Sequence, residues 1–194
     1  MIDGDNETFD GTIGTLREFL DADLGMQGLE RWRTRYRVTR GVVYFQRLLR
    51  QCEYWSHSSR TGPLAKLMSV QLKVRLRRQS ERLGFEIPRY VFGPGLSIAH
   101  AGTLVVSTRA RVGARCRIHQ GVTIGAADGR AATIGDDVFI GPNAVLVGGI
   151  AVGDNAFIYP GAVCAIDVPA GYSAAGVPAS VRPHDHPPWR PDQP

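Results

Sequence analysis

The chain has 194 residues, 43% of them hydrophobic, and a formal net charge of +5, so it is long enough for one domain, or a domain with an appendage, that buries its own core. Its three cysteines are scattered and have no metal-ligand spacing, which argues against a disulfide framework and fits a reducing cytoplasm. The acidic start MIDGDNETFD lacks the apolar stretch of a signal peptide, and no apolar run approaches the length that spans a membrane.

Residues 1–85 predict an α-helical N-terminal region. Thr15 followed by Glu18 matches a capping box, and the apolar residues within 13–24 keep helical spacing, which predicts the first helix. A second helix is predicted over about 29–55, because its apolar residues recur at helical intervals up to the break SSRTGP.

A third helix is predicted to begin at Pro63, with Thr61 as its N-cap, since proline suits the first turn of a helix. We expect this helix to end near Gly84, and Ile87-Pro88 then marks the change to extended structure. The candidate inner residues of the third helix are Leu64, Leu67, Met68, Leu72 and Leu76.

The positive charge is concentrated in two stretches of the helical region. Because no nucleic-acid-binding motif accompanies them, we interpret these residues as a solvated helical face and expect no nucleic-acid partner. Contact with an anionic membrane surface is the alternative. The residues are Arg31, Arg33, Arg35, Arg37, Arg40, Arg47 and Arg50 in one stretch and Lys66, Lys73, Arg75, Arg77, Arg78 and Arg82 in the other.

The sequence repeats every six positions over residues 106–168, with one four-residue insertion between Ile124 and Ile134. Neither a strand, with a period of two, nor a helix, with a period of about 3.6, gives such a repeat, whereas a solenoid with six residues on each flat side does. The first members of the hexads are Val106, Val112, Ile118, Ile124, Ile134, Ile140, Leu146, Val152, Ile158 and Cys164. The fifth members, also apolar, are Ala110, Cys116, Val122, Val138, Ala144, Ile150, Ala156, Ala162 and Val168.

Two further features of the repeat carry predictions. The hexad interrupted by the insertion has Asp128 where the others have an apolar fifth member, which predicts that this loop leaves the solenoid for solvent. The second position is often glycine, which we interpret as a need for backbone freedom at a corner. These glycines are Gly113, Gly125, Gly135, Gly141 and Gly153.

Hexads of the form aliphatic-Gly-x-x-small-x resemble those of the hexapeptide acyltransferases. The stretch 86–124, EIPRYVFGPGLSIAHAGTLVVSTRARVGARCRIHQGVTI, resembles the catalytic region of serine acetyltransferases, especially the shorter members encoded with polysaccharide or natural-product pathways. AAGVPASV at 174–181 resembles that family's terminal coil. The resemblance implies a mainly β fold, with a left-handed parallel β-helix over 86–182 that follows the helical region 1–85 and precedes a flexible tail, 183–194.

The resemblance places the catalytic histidine at His100, in the phrase GLSIAHAG. Imidazole can take a proton from an alcohol while it stays mostly neutral near pH 7, and the resulting oxygen would attack the thioester carbonyl of acetyl-CoA directly. The resemblance also implies an acid that orients this imidazole. Its nearest counterpart is Glu86, just before Ile87, with a solvent-exposed Glu86 as the alternative.

Two residues are assigned to the acceptor. His119, in IHQGVTIG, is either a groove residue or a surface corner, and Arg130 lies in the insertion, where serine acetyltransferases carry an Arg-His pair that helps to hold the amino acid. This chain lacks the histidine of that pair, and it has Ala99 where the family has an acidic residue before the catalytic histidine. Since the ammonium and carboxylate of serine need charged partners, a sugar or a natural-product intermediate is the alternative acceptor.

Acetyl-CoA is expected as the co-substrate, bound mostly through backbone groups along the stacked corners of the solenoid. No metal is expected, because His100 and His119 are nineteen residues apart and the solenoid has no third histidine. The residues assigned to the cofactor by position are Gly125, Ala126, Gly141, Pro142, Pro160, Gly161, Gly176 and Pro178.

The sequence therefore predicts a CoA-dependent O-acetyltransferase that transfers acetyl from acetyl-CoA to a small hydroxylated acceptor, serine-like by resemblance. A non-catalytic trimeric scaffold is the alternative from another functional class. Because the resembled enzymes are trimers with grooves between neighbouring solenoids, we expect a homotrimer or a dimer of trimers.

Overall fold

The structure, a computed structural model, describes residues 9–57, 59–186 and 189. In this part of the chain four helices precede fourteen short strands. The helices are α1 Ile13–Gly25, α2 Tyr36–Thr39, α3 Gly41–Ser56 and α4 Pro63–Leu83. The strands are β1 Phe85–Glu86, β2 Ser97–Ile98, β3 Leu104–Val106, β4 Arg111–Val112, β5 Arg117–Ile118, β6 Thr123–Gly125, β7 Thr133–Ile134, β8 Phe139–Ile140, β9 Val145–Val147, β10 Ala151–Val152, β11 Phe157–Ile158, β12 Val163–Cys164, β13 Tyr172–Ala175 and β14 Ser180–Pro183.

The first helix is capped by Thr12, so the prediction of Thr15 as its cap was wrong by three residues. The Thr12 hydroxyl accepts a hydrogen bond from the backbone N–H of Thr15 at 3.1 Å. The Asp10 carboxylate accepts from the backbone N–H of Thr12 at 2.8 Å and from the Thr15 hydroxyl. Thr15 therefore lies within the first turn and donates hydrogen bonds to the capping residues Asp10 and Thr12.

The predicted second helix is divided into a turn segment, the short α2 and the longer α3. Arg40, between α2 and α3, has φ −135° and ψ 74°, outside the helical range. The loop before α2 is held against the solenoid: Gln27 donates from Nε2 to the carbonyl of Ile98 at 2.9 Å, and the carbonyl of Met26 accepts from the Ser97 hydroxyl at 3.1 Å. The single-helix prediction was wrong because these long-range contacts override the local helical spacing.

The ends of α4 agree with the sequence except at its cap. Pro63 occupies the first turn, and Gly84 closes the helix in the left-handed region at φ 77°, which confirms both predictions. The N-cap residue is Gly62, which makes no side-chain hydrogen bond, so Thr61 is not the N-cap.

The inner face of α4 is more polar than its leucines indicate. Leu72 and Leu76 are buried as predicted, but Leu64 is 63% and Leu67 55% exposed, so assigning these two to the interior was wrong. Polar and small side chains take inner positions instead, and they are joined to α3: the hydroxyl oxygens of Ser69 and Ser56 are 2.8 Å apart. The buried residues of α4 are Ala65, Ser69, Leu72, Leu76 and Gln79.

The strands wind into a parallel β-solenoid of about five turns with three flat faces. Face A is formed by β1, β3, β6, β9 and β12; face B by β4, β7 and β10; face C by β2, β5, β8, β11, β13 and β14. Ile140 pairs with Ile158, eighteen residues on, whereas Ile118 pairs with Ile140, twenty-two residues on, because the four-residue insertion lies between them. Three hexads thus complete one turn.

All ten first members and all nine fifth members of the hexads lie inside the solenoid, none more than 6% exposed. The sequence repeat therefore identified the interior correctly, including Cys116 and Cys164, which are fully buried. The lining is continuous from turn to turn, as a stacked solenoid core requires.

The insertion forms a small hairpin at the surface. Ala127 and Arg130 exchange two backbone hydrogen bonds of 2.9 Å, and the tip residues Asp128 and Gly129 have φ 50° and 74°. Asp128 is exposed, as predicted. However, the interrupted hexad does have an inward partner: Ala132 is fully buried, so the four extra residues are added before it and do not replace it.

The glycines at the second hexad position are needed for close stacking, and the interpretation as backbone freedom was wrong. None of them has a positive φ; the left-handed residues lie two positions later and include Arg115 and Asp137. A Cβ added to Gly153 would lie 2.4 Å from the backbone nitrogen of Ala170 in the next turn. Gly125, beside the hairpin, is the exception, because its added Cβ would meet no atom closer than 3.9 Å.

One arginine of the basic stretches, Arg50, is fully buried, so its assignment to a solvated face was wrong. Its guanidinium pairs with Asp23 at 2.9 Å and Glu53 at 3.1 Å. It also donates to the carbonyls of Phe92 at 2.9 Å and Gly93 at 2.7 Å. These bonds offset the cost of burying the charges, and they fix α1 and α3 on the first turn of the solenoid.

One hydrophobic core runs from α3 and α4 through the solenoid; where the two regions meet, the rings of Phe45 and Phe85 are 5.0 Å apart. The division of the chain at residues 85 and 182 stays a prediction. No helix in the described ranges combines the length and apolarity that crossing a bilayer demands.

Candidate active site

His100 lies where the chain passes from face C to face A in the first turn. We name this edge, residues 99–103 and the equivalent residues of later turns, the C-to-A corner. The backbone N–H of Ala99 donates to the carbonyl of Ile118 at 3.0 Å, which fixes the chain just before His100. The His100 side chain is exposed. A base in this position is open to a substrate that binds outside the filled solenoid.

His119 lies beside His100, one turn further along the solenoid. The two imidazole rings are 6.1 Å apart, and the other side of His119 contacts the ring of Phe139 at 5.0 Å. Burial, with smaller contributions from Arg117 and His100, lowers the pKa of His119 to about 4. The His119 imidazole is therefore neutral near pH 7, and its buried Nε2 has no hydrogen-bond partner.

Arg117 is a neighbour of His119 that the sequence analysis did not single out. It points outward from face C and donates from Nη1 to the hydroxyl of Ser97 at 2.8 Å. The ring of Trp189 covers its guanidinium at 3.7 Å. Alternation along Arg117, Ile118 and His119 was the available signal, because it puts both polar side chains on the outer side of one strand.

Six of the eight residues assigned to the cofactor follow the same corner as His100. Adjacent turns are joined there by hydrogen bonds from Gly161 N–H to the Pro142 carbonyl at 2.8 Å and from Val163 N–H to the Gly176 carbonyl at 3.0 Å. A Cβ added to Gly161 would meet no atom within 4 Å, so the surface there is open. The six residues are Gly141, Pro142, Pro160, Gly161, Gly176 and Pro178.

The remaining assigned residues lie at the opposite edge of face A. Gly125 ends β6, and Ala126 leads into the hairpin that carries Arg130. The Arg130 side chain lies against Gly149 of the next turn, where an added Cβ would be 2.8 Å from the Cβ of Arg130. Within one chain, the structure therefore separates Gly125, Ala126 and Arg130 from His100.

Glu86 lies on face A and is exposed. It lines a groove of about 820 Å³ between α4 and the first turns of the solenoid, together with Lys73 and Arg77. Its carboxylate makes no hydrogen bond to His100 among the described residues. The orienting role of Glu86 stays a prediction from the resemblance.

No cysteine thiol is suited to nucleophilic attack. All three are free and buried, and burial raises the pKa of Cys52 and of Cys116 to about 12. A thiolate is the reactive form, so these groups are inert near pH 7. Within the described ranges, no three His, Cys, Asp or Glu side chains are grouped so that they could hold a metal ion.

The residues after β14 contact face C. His184 Nε2 is 2.8 Å from the carbonyl oxygen of Asn155, and His186 Nε2 is 3.0 Å from the hydroxyl of Tyr159. The His186 ring also lies 4.7 Å from that of Phe157. With Trp189 on Arg117, the described part of this segment extends from the last turns towards the candidate site; residues 187, 188 and 190–194 of the predicted flexible tail lie outside the described residues.

Comparisons by sequence and by structure both find similarity to hexapeptide-repeat transferases. A family model of bacterial transferase hexapeptide (six repeats) matches residues 131–165. The structure resembles serine acetyltransferase of Neisseria gonorrhoeae in complex with serine, with 27% identity over 88% of this chain and 70% of that chain and a TM-score of 0.68. It also resembles soybean serine acetyltransferase complexed with serine, with 25% identity over 90% of this chain and 72% of that one and a TM-score of 0.71.

A serine acetyltransferase in complex with CoA is similar in fold, with 24% identity, a TM-score of 0.65, and coverage of 91% of this chain and 73% of that chain. No curated protein matches the chain. The hexad solenoid and these likenesses define a hexapeptide-repeat acyltransferase with a left-handed parallel β-helix. Within that class the chain is similar to serine acetyltransferases, at 27% identity or less in these matches.

Proposed function

We propose that the protein is a CoA-dependent O-acetyltransferase in which His100 is the general base. The observation that carries this proposal is the placement of an exposed His100 at the head of the C-to-A corner, which further along has open surface at Gly161. Acetyl-CoA would lie along that corner with its thioester near His100. The pairing of a base with an extended cofactor surface is what direct acyl transfer needs.

In the proposed reaction, His100 takes the proton of the acceptor hydroxyl as the oxygen attacks the thioester carbonyl. The carbon–sulfur bond then breaks, and the imidazolium returns its proton to the departing CoA sulfur. No covalent enzyme intermediate is required, in agreement with the burial of all three thiols. His119, kept neutral by its environment, would line the acceptor side of the site beside His100.

We further propose that each site is shared by two copies of the chain. Gly125, Ala126 and Arg130 are assigned to cofactor and acceptor, yet they lie across face A from His100. In a trimer, that edge of one copy can meet the C-to-A corner of the next. The separation of the assigned residues therefore supports a homotrimer, either alone or paired into a dimer of trimers.

Serine is the acceptor that the resemblance favours, and a sugar or a natural-product intermediate is the second candidate. The charges around His119 favour the second candidate. The charged neighbours that shift the pKa of His119 are Arg117 and His100, and neither is a carboxylate. A serine ammonium would lack a negative partner beside these groups.

Replacement of His100 by alanine tests the proposed base. We expect kcat/KM to fall by about 10²- to 10⁴-fold, the usual contribution of a general base, with CoA binding retained. The measurement is release of free CoA thiol from acetyl-CoA in the presence of serine, sugars and other alcohols. His57→Gln, at the end of α3, is the control for the loss of a histidine elsewhere. Undiminished acetyl transfer by the His100→Ala protein would exclude His100 as the base.

A further inference from the structure

Arg117 has a guanidinium whose hydrogen-bonding capacity is only partly used. Its Nε is buried and has no hydrogen-bond partner in the described part of the chain, while Nη1 donates to the neutral hydroxyl of Ser97. The centre of the Trp189 ring lies 3.7 Å from the central carbon of the guanidinium. This cation–π contact is directed at the charge and does not supply a hydrogen-bond acceptor for Nε.

The charge of Arg117 is also without a counterion. Among the described residues it forms no salt bridge, whereas Arg115, two residues earlier, binds Asp136 and Asp137 at 3.3 and 2.8 Å. Burial alone lowers the pKa of Arg117, with no carboxylate opposing it. A guanidinium nevertheless stays protonated at any physiological pH. Arg117 is half-buried, and partial burial of an unpaired charge is costly, so this position is suited to binding an anion.

The position of Arg117 connects this unused charge to the candidate site. Arg117 and His119 are the outward residues on either side of Ile118, and the charge of Arg117 contributes to the lowered pKa of His119. His119 in turn contacts His100. An anion at Arg117 would therefore lie one side chain away from the pair of imidazoles.

We propose that Arg117 binds an anionic group, a carboxylate or a phosphate, of one of the two substrates of the acetyltransferase. This inference rests on the proposed function for its substrates, but the binding itself does not depend on catalysis. The anion belongs either to the acceptor, which is then a hydroxy acid or a phosphorylated alcohol, or to the phosphates of CoA. Because Nε is buried and the ring of Trp189 lies over the guanidinium, binding of the anion requires the Trp189 side chain to move aside.

Calorimetric titration of the full chain tests the proposal with glycerate, glycerol 3-phosphate and neutral glycerol. We expect the wild type to bind at least one of the anions more tightly than glycerol. Arg117→Gln should weaken the binding of that anion by about 10- to 100-fold, the usual contribution of a charge-assisted hydrogen bond, and leave glycerol unaffected. Arg117→Lys should recover part of the affinity, because a lysine supplies the charge without the planar fork.

Arg111→Gln is the matched control, since Arg111 holds the same hexad position on face B, away from the imidazoles. The source of the anion is identified by titration with CoA and with pantetheine, which lacks the phosphates. A loss in Arg117→Gln confined to CoA assigns the anion to the donor, and a loss confined to glycerate or glycerol 3-phosphate assigns it to the acceptor.

Two results would overturn the proposal: a wild type that binds none of the anions, CoA included, or equal losses in Arg117→Gln for charged and neutral ligands. Failure of the proposed function is a separate result, because it appears as acetyl transfer that survives His100→Ala. Binding of glycerate, glycerol 3-phosphate or CoA is measured without turnover and is unaffected by that outcome.

Discussion

His119 shows how one side chain of the site is set by its surroundings. The ring lies between His100 and Phe139, and its Nε2 is buried without a partner. Burial and two cationic or ionisable neighbours all disfavour the protonated form, so they act in the same direction on its pKa. The consequence is an imidazole that is neutral near pH 7 beside a second imidazole that is open to solvent. Because His119 is neutral, its ring places no positive charge next to His100.

The lowered pKa of His119 predicts a pH dependence of stability. In the unfolded chain His119 titrates near its ordinary value of 6.5, and in the folded chain near 4. Between these pH values the unfolded state binds a proton that the folded state does not, so the free energy of unfolding falls as pH decreases from 6.5 to 4. Above pH 6.5 the contribution is complete. Urea unfolding at a series of pH values measures it.

His119→Gln provides the comparison, since glutamine does not titrate. The difference in unfolding free energy between wild type and His119→Gln should shift in favour of the variant as pH decreases through that interval. Other titrating groups are common to both proteins and cancel in the difference. Parallel stability curves for the two proteins would contradict the lowered pKa.

At the scale of elements, the closeness of the solenoid turns decides which residues the corners accept. An added Cβ would meet backbone atoms of the next turn at Gly153, where the nearest is 2.4 Å away, and at Gly141, where it is 2.7 Å away. Backbone atoms of stacked strands cannot move apart without loss of the ladder hydrogen bonds. The spacing between turns therefore requires glycine at these positions. Gly125 has free space beside it because the hairpin interrupts the stack there.

Gly153→Ala and Gly125→Ala form a matched pair that tests this account. We expect Gly153→Ala to lower the free energy of unfolding by about 1–3 kcal/mol through overpacking, and Gly125→Ala to change it little. Both glycines have negative φ, so backbone strain does not distinguish them. Urea unfolding of the two variants gives the comparison. Equal destabilisation would show that the contact with the next turn is not the reason for glycine.

Gly125→Ala has a second use because Gly125 is assigned to the cofactor. If its fold is intact, a raised KM for acetyl-CoA in this variant reports the proposed contact and not a loss of stability. An unchanged KM would remove Gly125 from the cofactor surface.

The sequence predicts the elements unequally, for a physical reason. In the solenoid each inward residue contacts its equivalents in adjacent turns, so the repeat itself encodes the interior, and the ten first members are all buried. In the helical region the outcome depends on contacts between distant parts of the chain, such as Gln27 with Ile98 and Arg50 with Asp23. No local pattern contains those contacts. The prediction of one helix over 29–55 failed for that reason.

The residues of the candidate site were likewise predicted from the sequence only in part. The sequence singled out His100 by its motif and His119 as a groove residue or a surface corner, and the structure shows their rings 6.1 Å apart. Arg117 was missed because the repeat identifies inward residues; the alternation around Ile118 shows only that Arg117 points outward and does not show which groups it contacts. Its burial by Trp189 joins residues seventy-two positions apart.

At the scale of the whole molecule, the arrangement of apolar and functional residues supports the proposed assembly of several copies. The outward side of face A carries Val105, Val145 and Val163, which are only half-buried in one chain. Ile166 and Val177 are 46% and 72% exposed. The same face separates His100 from Arg130. Contact between copies near face A would cover apolar surface and complete the site together.

Mixed assemblies test whether the site is shared. His100→Ala and Arg130→Ala proteins should each be weakly active alone, because every site in either one lacks a residue. If a site combines His100 of one copy with Arg130 of the next, co-expression in equal amounts creates some sites with both residues intact. Random mixing gives about one quarter of such sites, so activity should rise well above the mean of the two variants. Light scattering should show three or six times the mass of one chain. If the activity of the mixture equals the mean of the separate variants, the proposed sharing of the site is wrong. Either both residues then act within one copy, despite their separation across face A, or Arg130 is not part of the site.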